Sequence, residues 1–243
     1  MRRPLHVIAC AHGTDDPRGR QLIDQLRAQV AGLVDDQHAE DGWSVQVHEA
    51  YVDVQDPDLP RGLGPLPAGA AAVVLPRLLS LGIHPGVDVA EAVASRTNTI
   101  AAEPIGADPR LAGVMARRLA EAGWGPDDAV VLASAGPRVP SGQQQARDSA
   151  GTLAAALGAP VQAAFCSAAD PRVEDAVEQA GRQTPGVRVG VVSYLLAPGF
   201  FQERLGGAGA NYVTAPLLPD VTNAECVAAR LHSALSEADF EAG

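Results

Sequence analysis

Leu-His-Val-Ile-Ala-Cys-Ala-His-Gly, residues 5–13, is the stretch of this chain that decides its fold. It contains a short, almost wholly apolar run from Leu5 to Ala11, and a histidine and a glycine follow the run directly. Short apolar runs that end in turn residues are typical of strands buried on both faces of a parallel sheet. A similar pattern, Val-Leu-Ala-Ser-Ala-Gly, returns at residues 131–136. The sequence therefore predicts the same strand and turn twice.

Further apolar runs alternate with longer segments of helical period along the whole chain. We predict strands at residues 5–11, 45–52, 70–75, 99–102, 129–133, 161–165, 187–192 and 212–215, and helices at 19–34, 110–122, 142–156, 172–181 and 222–237. Strands that alternate with helices indicate an α/β protein with parallel sheets.

The chain also resembles itself at a spacing of about 112 to 123 residues, which is the mark of an internal duplication. Three pairs of segments match besides the opening one: 51–57 with 165–171, 78–82 with 195–199, and 114–117 with 227–230. All of these matches follow the same order. We therefore predict two copies of one α/β unit, residues 1–124 and 125–243, with a boundary near Gly123 to Asp127.

Composition excludes several classes of protein. The chain has 243 residues and a formal net charge of −11, with 47% apolar residues. That apolar content suffices for packed domains, and the negative charge argues against nucleic-acid or membrane-surface partners. All 18 Lys and Arg positions are Arg, so the chain can form no lysine Schiff base and has no P-loop lysine. Three widely spaced cysteines and no run long enough to span a bilayer predict a cytoplasmic protein.

Polar residues follow three strands of the first copy, at the edge where parallel sheets bind ligands. They are His12 after the first strand, Asp53 at the end of the second strand, and His84, which we expect in the loop after the third strand. Their counterparts in the second copy are the inert or weakly polar Ala135, Ser167 and Phe201. Residues needed only to close the unit should be present in both copies. Imidazoles with a carboxylate suit a divalent transition metal, and open coordination positions would leave room for a substrate.

Each candidate also has a structural interpretation. A histidine after a strand is in many proteins only a hydrogen-bonded loop residue. Asp16 and Pro17 indicate a helix start, and Arg18 or Arg20 there would either lie in solvent or help to bind an anion. Arg77, close before His84, has the same two interpretations.

Other catalytic motifs are missing from the sequence. It has no Walker A motif, no GxGxxG after a strand, no HExxH and no GxSxG. Phosphate-transferring histidine enzymes have Arg directly before the histidine, whereas position 11 is Ala. We therefore expect no nucleotide cofactor.

The motifs taken together resemble a known family. Ala-His-Gly-Thr at 11–14 with Asp16-Pro17, Tyr-Val-Asp at 51–53 with Asp56-Pro57, and the segment 76–84 are similar to the class II tetrapyrrole metal chelatases. Within that class, the chain resembles the sirohydrochlorin chelatases of the CbiX and SirB type. Residues 193–201, Ser-Tyr-Leu-Leu-Ala-Pro-Gly-Phe-Phe, resemble the degenerate second domain of the long two-domain members.

This resemblance implies a pair of small parallel sheets flanked by helices, with a cleft between the domains. It implies a lyase that inserts Co²⁺ or Fe²⁺ into sirohydrochlorin without ATP, in cobalamin or sirohaem biosynthesis. The metal is the substrate, and the site residues that match are the catalytic His12, His84 and Asp53, of which His12 and His84 also bind the metal. For the substrate we expect Arg18, Arg20 and Arg77 to bind carboxylates and Phe201 to line an apolar wall.

The sequence departs from the family pattern at two positions. The family's acidic residue is usually Glu, and Asp53 is one methylene shorter. Val87 stands where many members have another His, which reduces the number of possible ligands.

Two rival hypotheses remain at the level of the sequence. The first is a non-catalytic carrier that binds a metal or a tetrapyrrole through the same residues. The second is a two-domain scaffold in which His12 and His84 are structural. Because one chain supplies both copies, we expect a monomer, with a dimer as the alternative.

Overall fold

Strands and helices alternate throughout the computed structural model, which describes residues 2–80, 83–238 and 240, except for the side chains of residues 83–85. The strands are β1 (Arg3–Ala11), β2 (Trp43–Tyr51), β3 (Ala72–Pro76), β4 (Thr99–Ala101), β5 (Ala129–Ser134), β6 (Val161–Phe165), β7 (Val189–Tyr194) and β8 (Tyr212–Val213). The helices are α1 (Pro17–His38), α2 (Leu59–Leu63), α3 (Ile83–Ala94), α4 (Arg110–Glu121), α5 (Pro140–Leu157), α6 (Val173–Gln183), α7 (Phe200–Leu205) and α8 (Val221–Glu237).

Two parallel four-stranded sheets form the framework, in the orders β2-β1-β3-β4 and β6-β5-β7-β8. The prediction of an α/β fold built from two parallel sheets is confirmed, and each predicted strand overlaps an observed one. The identical strand order in both halves agrees with a duplicated unit. Ala11 pairs with Tyr51 at the carboxyl ends of β1 and β2, as Ser134 does with Phe165 in the second sheet.

The packing divides the chain into two compact units that exchange their last helices. One unit contains Met1–Gly106 and Asn223–Gly243, and the other contains Ala107–Thr222. α4 therefore belongs with the second sheet, and most of α8 belongs with the first. Within the first unit, the ring of His232 on α8 stacks on His38 at a centroid distance of 5.6 Å, and Arg230 donates to the Ile105 carbonyl at 2.7 Å. The duplication boundary near residue 124 stays a prediction. It does not coincide with the boundaries of the packed units, which follow Gly106 and Thr222.

Apolar side chains from the central strands make the core of each unit. Every residue of β3 is buried, and so is every residue of β1 from Leu5 onward, His6 included. Burial on both faces explains why these strands are continuous apolar runs. No helix in the described part of the chain is long and apolar enough to cross a membrane.

Three helices have no counterpart among the predicted ones. α2 and α7 span five and six residues, too short for a helical period to stand out. α3 begins with Ile-His-Pro-Gly, and proline with glycine indicates a turn. Proline fits the first turn of a helix, however, because the N–H that it lacks has no partner there in any case. The expectation that His84 lies in a loop is wrong, because its backbone is the second residue of α3.

A pair of histidines lies on β1 and β2, on the face of the sheet that packs against α2 and α3. His6 Nδ1 and His48 Nε2 are 3.0 Å apart, a hydrogen-bond distance that requires one nitrogen to donate and the other to accept. Burial lowers the pKa of both rings, and the neighbouring His48 and Arg96 lower the pKa of His6 further. The folded state therefore holds this pair neutral.

The pair should make the stability of the fold depend on pH. An unfolded histidine titrates at about 6.5. Below that value the unfolded chain binds more protons than the folded chain, so stability is complete above it and falls as the pH decreases. We expect the melting temperature (Tm) of His6→Gln or His48→Gln to fall less than that of the wild type between about pH 7 and 5. Thermal melts across this range measure the difference.

His232→Gln, at an exposed histidine on α8, is the control and should follow the wild-type slope. If the slopes of all the variants were parallel to that of the wild type, the His6–His48 pair would not be a source of acid sensitivity.

Candidate active site

The loops that follow β1 and β2 are joined by backbone hydrogen bonds. The Val52 amide donates to the Ala11 carbonyl at 2.9 Å, and the Asp53 amide donates to the His12 carbonyl at 3.0 Å. His12 and Asp53, both predicted site residues, are thus neighbours across the two loops, and both are exposed. An imidazole and a carboxylate on adjacent exposed loops can bind a cation or accept protons.

Gly13 permits this close approach of the two loops. Its φ is +94°, in the region that favours glycine, and a Cβ at this position would lie 2.1 Å from the Asp53 carbonyl oxygen. Any side chain here would push the two loops apart. The glycine after His12 is therefore a geometric requirement of the site.

A side-chain hydrogen bond adds to the backbone link between the loops. The Gln55 Oε1 atom accepts from the Thr14 amide at 3.0 Å. The Thr14 hydroxyl accepts in turn from the Asp16 amide at 3.2 Å, and the Asp16 carboxylate caps α1 by accepting from the Gly19 amide at 2.8 Å. The His12 loop is therefore fixed at both ends, by β2 on one side and by the start of α1 on the other.

The predicted arginines of α1 lie in its first turn, close in sequence to the His12 loop. Arg18 and Arg20 are both exposed. Arg20 Nε donates to the Thr14 carbonyl at 2.7 Å, and its Nη2 donates to Asp15 at 3.2 Å. Arg20 therefore supports the loop, while its exposed surface remains open to an anion.

Arg77 lies in a different environment from the other two arginines. It is 0% exposed, and its guanidinium donates to the carbonyls of Ile23 and Ala9 at 2.7 and 2.8 Å. Burial lowers the pKa of this guanidinium to about 10. The side chain joins β1 to α1 inside the first unit. It has no surface with which to meet a substrate in this structure, so the geometry places Arg77 in the core and not at the predicted carboxylate site.

His84 is the third predicted site residue, and its side chain lies outside the described residues. Its backbone begins α3, which follows β3, and β3 pairs with β1 up to Cys10 opposite Pro76. Among the residues with described side chains, no group of three or more His, Cys, Asp or Glu is arranged to hold a metal ion. The ligand pair His12 and His84 therefore stays a prediction.

The second unit repeats the geometry of these loops without their chemistry. The Ser167 amide donates to the Ala135 carbonyl at 3.1 Å, and Gly136 has φ +93° with its Cβ position 1.8 Å from the Ser167 carbonyl oxygen. The Ser167 hydroxyl also donates a hydrogen bond to the Ala135 carbonyl at 2.9 Å. The turn is thus a property of the unit, whereas His12 and Asp53 are not needed to build it.

Phe201, the predicted apolar contact, is partly buried and packs against the core of the second unit. The exposed ring is that of its neighbour Phe200, at 66%. The two rings meet edge to face at a centroid distance of 5.5 Å. Phe200 therefore offers the larger apolar surface at the start of α7.

Thr14 and Gln55 support the two loops of the site, and neither was among the predicted site residues. Gln55 has Ala169 as its counterpart, and the backbone bonds agree with this alignment: the Gln55 amide donates to the Asp53 carbonyl at 2.7 Å, and the Ala169 amide donates to the Ser167 carbonyl at 2.6 Å. The comparison of the two copies that singled out His12 would have found Gln55 as well.

We expect Gly13→Ala to destabilise the first unit by about 2–4 kcal/mol, because the added methyl group collides with backbone that cannot move independently. Chemical denaturation measures the loss. Gly32→Ala in α1 is the control, since its Cβ would meet nothing within 4 Å, and it should raise stability by up to about 1 kcal/mol. Wild-type stability in Gly13→Ala would contradict the close approach.

Arg77→Met should also lower the free energy of unfolding by about 2–4 kcal/mol, because two buried carbonyls lose a charged donor. Arg182→Met, at a side chain that is 69% exposed, should change stability by less than about 0.5 kcal/mol. Equal stability of the two variants would contradict a role for Arg77 in the core.

Comparisons with known proteins agree with this architecture. SirB from Bacillus subtilis with Fe³⁺ has a TM-score of 0.71 at 17% identity, covering 99% of this chain and 100% of that one. The sirohydrochlorin chelatase SirB from Bacillus subtilis subspecies spizizenii in complex with cobalt has a TM-score of 0.69 at 16% identity, with coverage of 99% and 100%. DR2241 from Deinococcus radiodurans, a multi-domain protein with structural similarity to chelatases, has a TM-score of 0.58 at 20% identity, covering 94% of this chain and 54% of that one.

These structural similarities show a shared fold, whereas the assignment to a family rests on the match of the sequence to a family model. No curated protein sequence matches the chain. The CbiX family model matches residues 6–122 and 129–210, which together make up most of both halves. With that match and the paired parallel sheets, the chain belongs to the CbiX family.

Proposed function

We propose that this protein is a sirohydrochlorin chelatase, a lyase that inserts Co²⁺ or Fe²⁺ into the tetrapyrrole without a nucleotide. The observation that supports this most directly is the difference between two loops of equal geometry. The first copy has the exposed His12 and Asp53 where the second has Ala135 and Ser167. Membership of the CbiX family, and a fold shared with SirB structures that contain Fe³⁺ or cobalt, support this choice of reaction.

The proposed reaction needs a ligand for the metal and a base for the macrocycle. As the metal enters, both pyrrole N–H protons must leave the ring. A neutral imidazole has one nitrogen with a free lone pair, which can bind a divalent ion or accept a proton near neutral pH. We assign metal delivery to His12 and His84, and proton removal to the same imidazoles and to Asp53.

Asp53 has one oxygen already in use within the loop. Its Oδ1 accepts from the Val54 amide at 2.8 Å, which orients the carboxylate. This short side chain reaches less far from the loop than a glutamate would. We infer that Asp53 serves as a proton acceptor and a source of negative charge beside the incoming cation.

Substrate binding requires local positive charge, because sirohydrochlorin has many carboxylates and the chain as a whole is acidic. Arg18 and Arg20 supply exposed guanidiniums next to the His12 loop, and we propose that they bind substrate carboxylates. Phe201 and the more exposed Phe200 are the proposed apolar contacts from the second copy.

The choice of metal and pathway belongs to the same proposal. Imidazole and carboxylate suit both Co²⁺ and Fe²⁺, so cobalamin and sirohaem biosynthesis are both served by this residue set. The three cysteines are free and buried, which fits a reducing cytoplasm, where we place the reaction.

The test is an anaerobic assay in which absorbance follows the conversion of sirohydrochlorin with Co²⁺ or Fe²⁺. The wild type should exceed the enzyme-free rate, and His12→Ala or His84→Ala should lose at least about 10²-fold in activity because ligand and base are both removed. His232→Ala removes an exposed imidazole on α8 and should keep the wild-type rate. Comparison of the initial rates with the two metals indicates the preferred ion.

Three results would argue against the proposal. A wild-type rate equal to the enzyme-free rate, with the pigment nevertheless bound, would identify a carrier. Full turnover in both histidine variants would remove His12 and His84 from the reaction. A loss of Tm without a loss of activity per folded molecule would make the two residues structural.

A further inference from the structure

Val54, directly after Asp53, has a backbone conformation that valine rarely adopts. Its φ is +65°, in the left-handed region, where a β-branched side chain crowds its own backbone. Nearly half of the side chain, 45%, is exposed. The isopropyl group therefore imposes a conformational cost that its own limited burial within the unit only partly offsets.

The turn itself demands the left-handed conformation, and the second copy shows this. Ala168, the counterpart of Val54, has φ +52°. The hydrogen bonds on either side of the two residues are the same, from the amides of Asp53 and Gln55 in one copy and of Ser167 and Ala169 in the other. Glycine or asparagine would suit this position best, and the second copy manages with a methyl group. Nothing in the turn calls for the larger valine.

The place of Val54 indicates what its side chain contacts. The Cβ of Val54 lies 3.2 Å from the position that a Cβ on Gly13 would occupy, so it adjoins the backbone directly after His12. The apolar group thus stands beside the loop that contains His12, and it directly follows Asp53 in the chain. A flat conjugated macrocycle that receives a metal there must rest a face on something apolar, because its own carboxylates lie at the periphery.

We propose that the isopropyl group of Val54 contacts the face of the tetrapyrrole and positions the ring for metal delivery and proton removal by the residues of the His12 and Asp53 loops. This inference rests on the proposed function and deepens it. Val54 is a positioning residue, since it has no group that could bind the metal or transfer a proton. In this proposal, the conformational cost of Val54 to the fold is the counterpart of a gain in substrate binding.

The experiment replaces Val54 with Gly and measures stability and kinetics together. Val54→Gly should raise Tm by about 2–4 °C because the left-handed turn relaxes. It should raise KM for sirohydrochlorin about three- to tenfold, because the apolar contact is lost. The KM for Co²⁺ should stay the same, since the metal-binding side chains are unchanged. Ala168→Gly is the matched control, and it should raise Tm without changing either KM.

Val54→Asn provides a second variant, which also tolerates the left-handed region but presents a polar group. An unchanged KM for sirohydrochlorin in both Val54 variants, or a fall in Tm in both, would overturn the inference. Failure of the proposed function itself is distinguishable, because the wild type would then show no turnover. In that case titration of the pigment into wild type and Val54→Gly still tests the contact: weaker binding by the variant supports it, and equal binding overturns it.

Discussion

The approach of the Gly13 backbone to the Asp53 carbonyl fixes the arrangement of the proposed site. Because these loops touch through main chain, the positions of His12 and Asp53 follow from strand pairing and not from the packing of flexible side chains. A ligand or a base held by rigid elements loses little entropy when it acts. The same close approach at Gly136 shows that the scaffold forms without the chemistry placed on it in the first copy.

A comparison of equivalent positions in the two copies distinguishes residues that the fold requires from residues that only one copy contains. Strand order, left-handed turn residues and inter-loop bonds are common to both, so they belong to the fold. Residues that differ at equivalent positions, such as His12 against Ala135 and Gln55 against Ala169, are the ones to which we assign the proposed function of the first copy. The comparison of the two copies thus gives, within one chain, the kind of information that an alignment of related sequences gives.

Much of the fold could be predicted because the central strands β1, β3, β5 and β7 are buried on both faces and consist almost entirely of apolar residues. The start of α3 was missed because Pro85 and Gly86 indicate a turn unless their place in a first helical turn is known. His12, Asp53, Arg18 and Arg20 are exposed, and their assignment to the site stays a prediction. The burial of Arg77 could not be foreseen, since arginine is almost never fully buried and the carbonyls that hold it come from distant residues.

The exchange of α4 and α8 between the units has a consequence for the history of the chain. A single copy cut out at residue 124 would keep a helix that packs on the other sheet and would lack the helix that packs on its own. A one-copy ancestor with this packing would have needed a second chain to complete it, as in a domain-swapped dimer. Where both copies stand in one chain, that association is intramolecular and independent of protein concentration. One copy could then lose its reactive side chains while the other retained them.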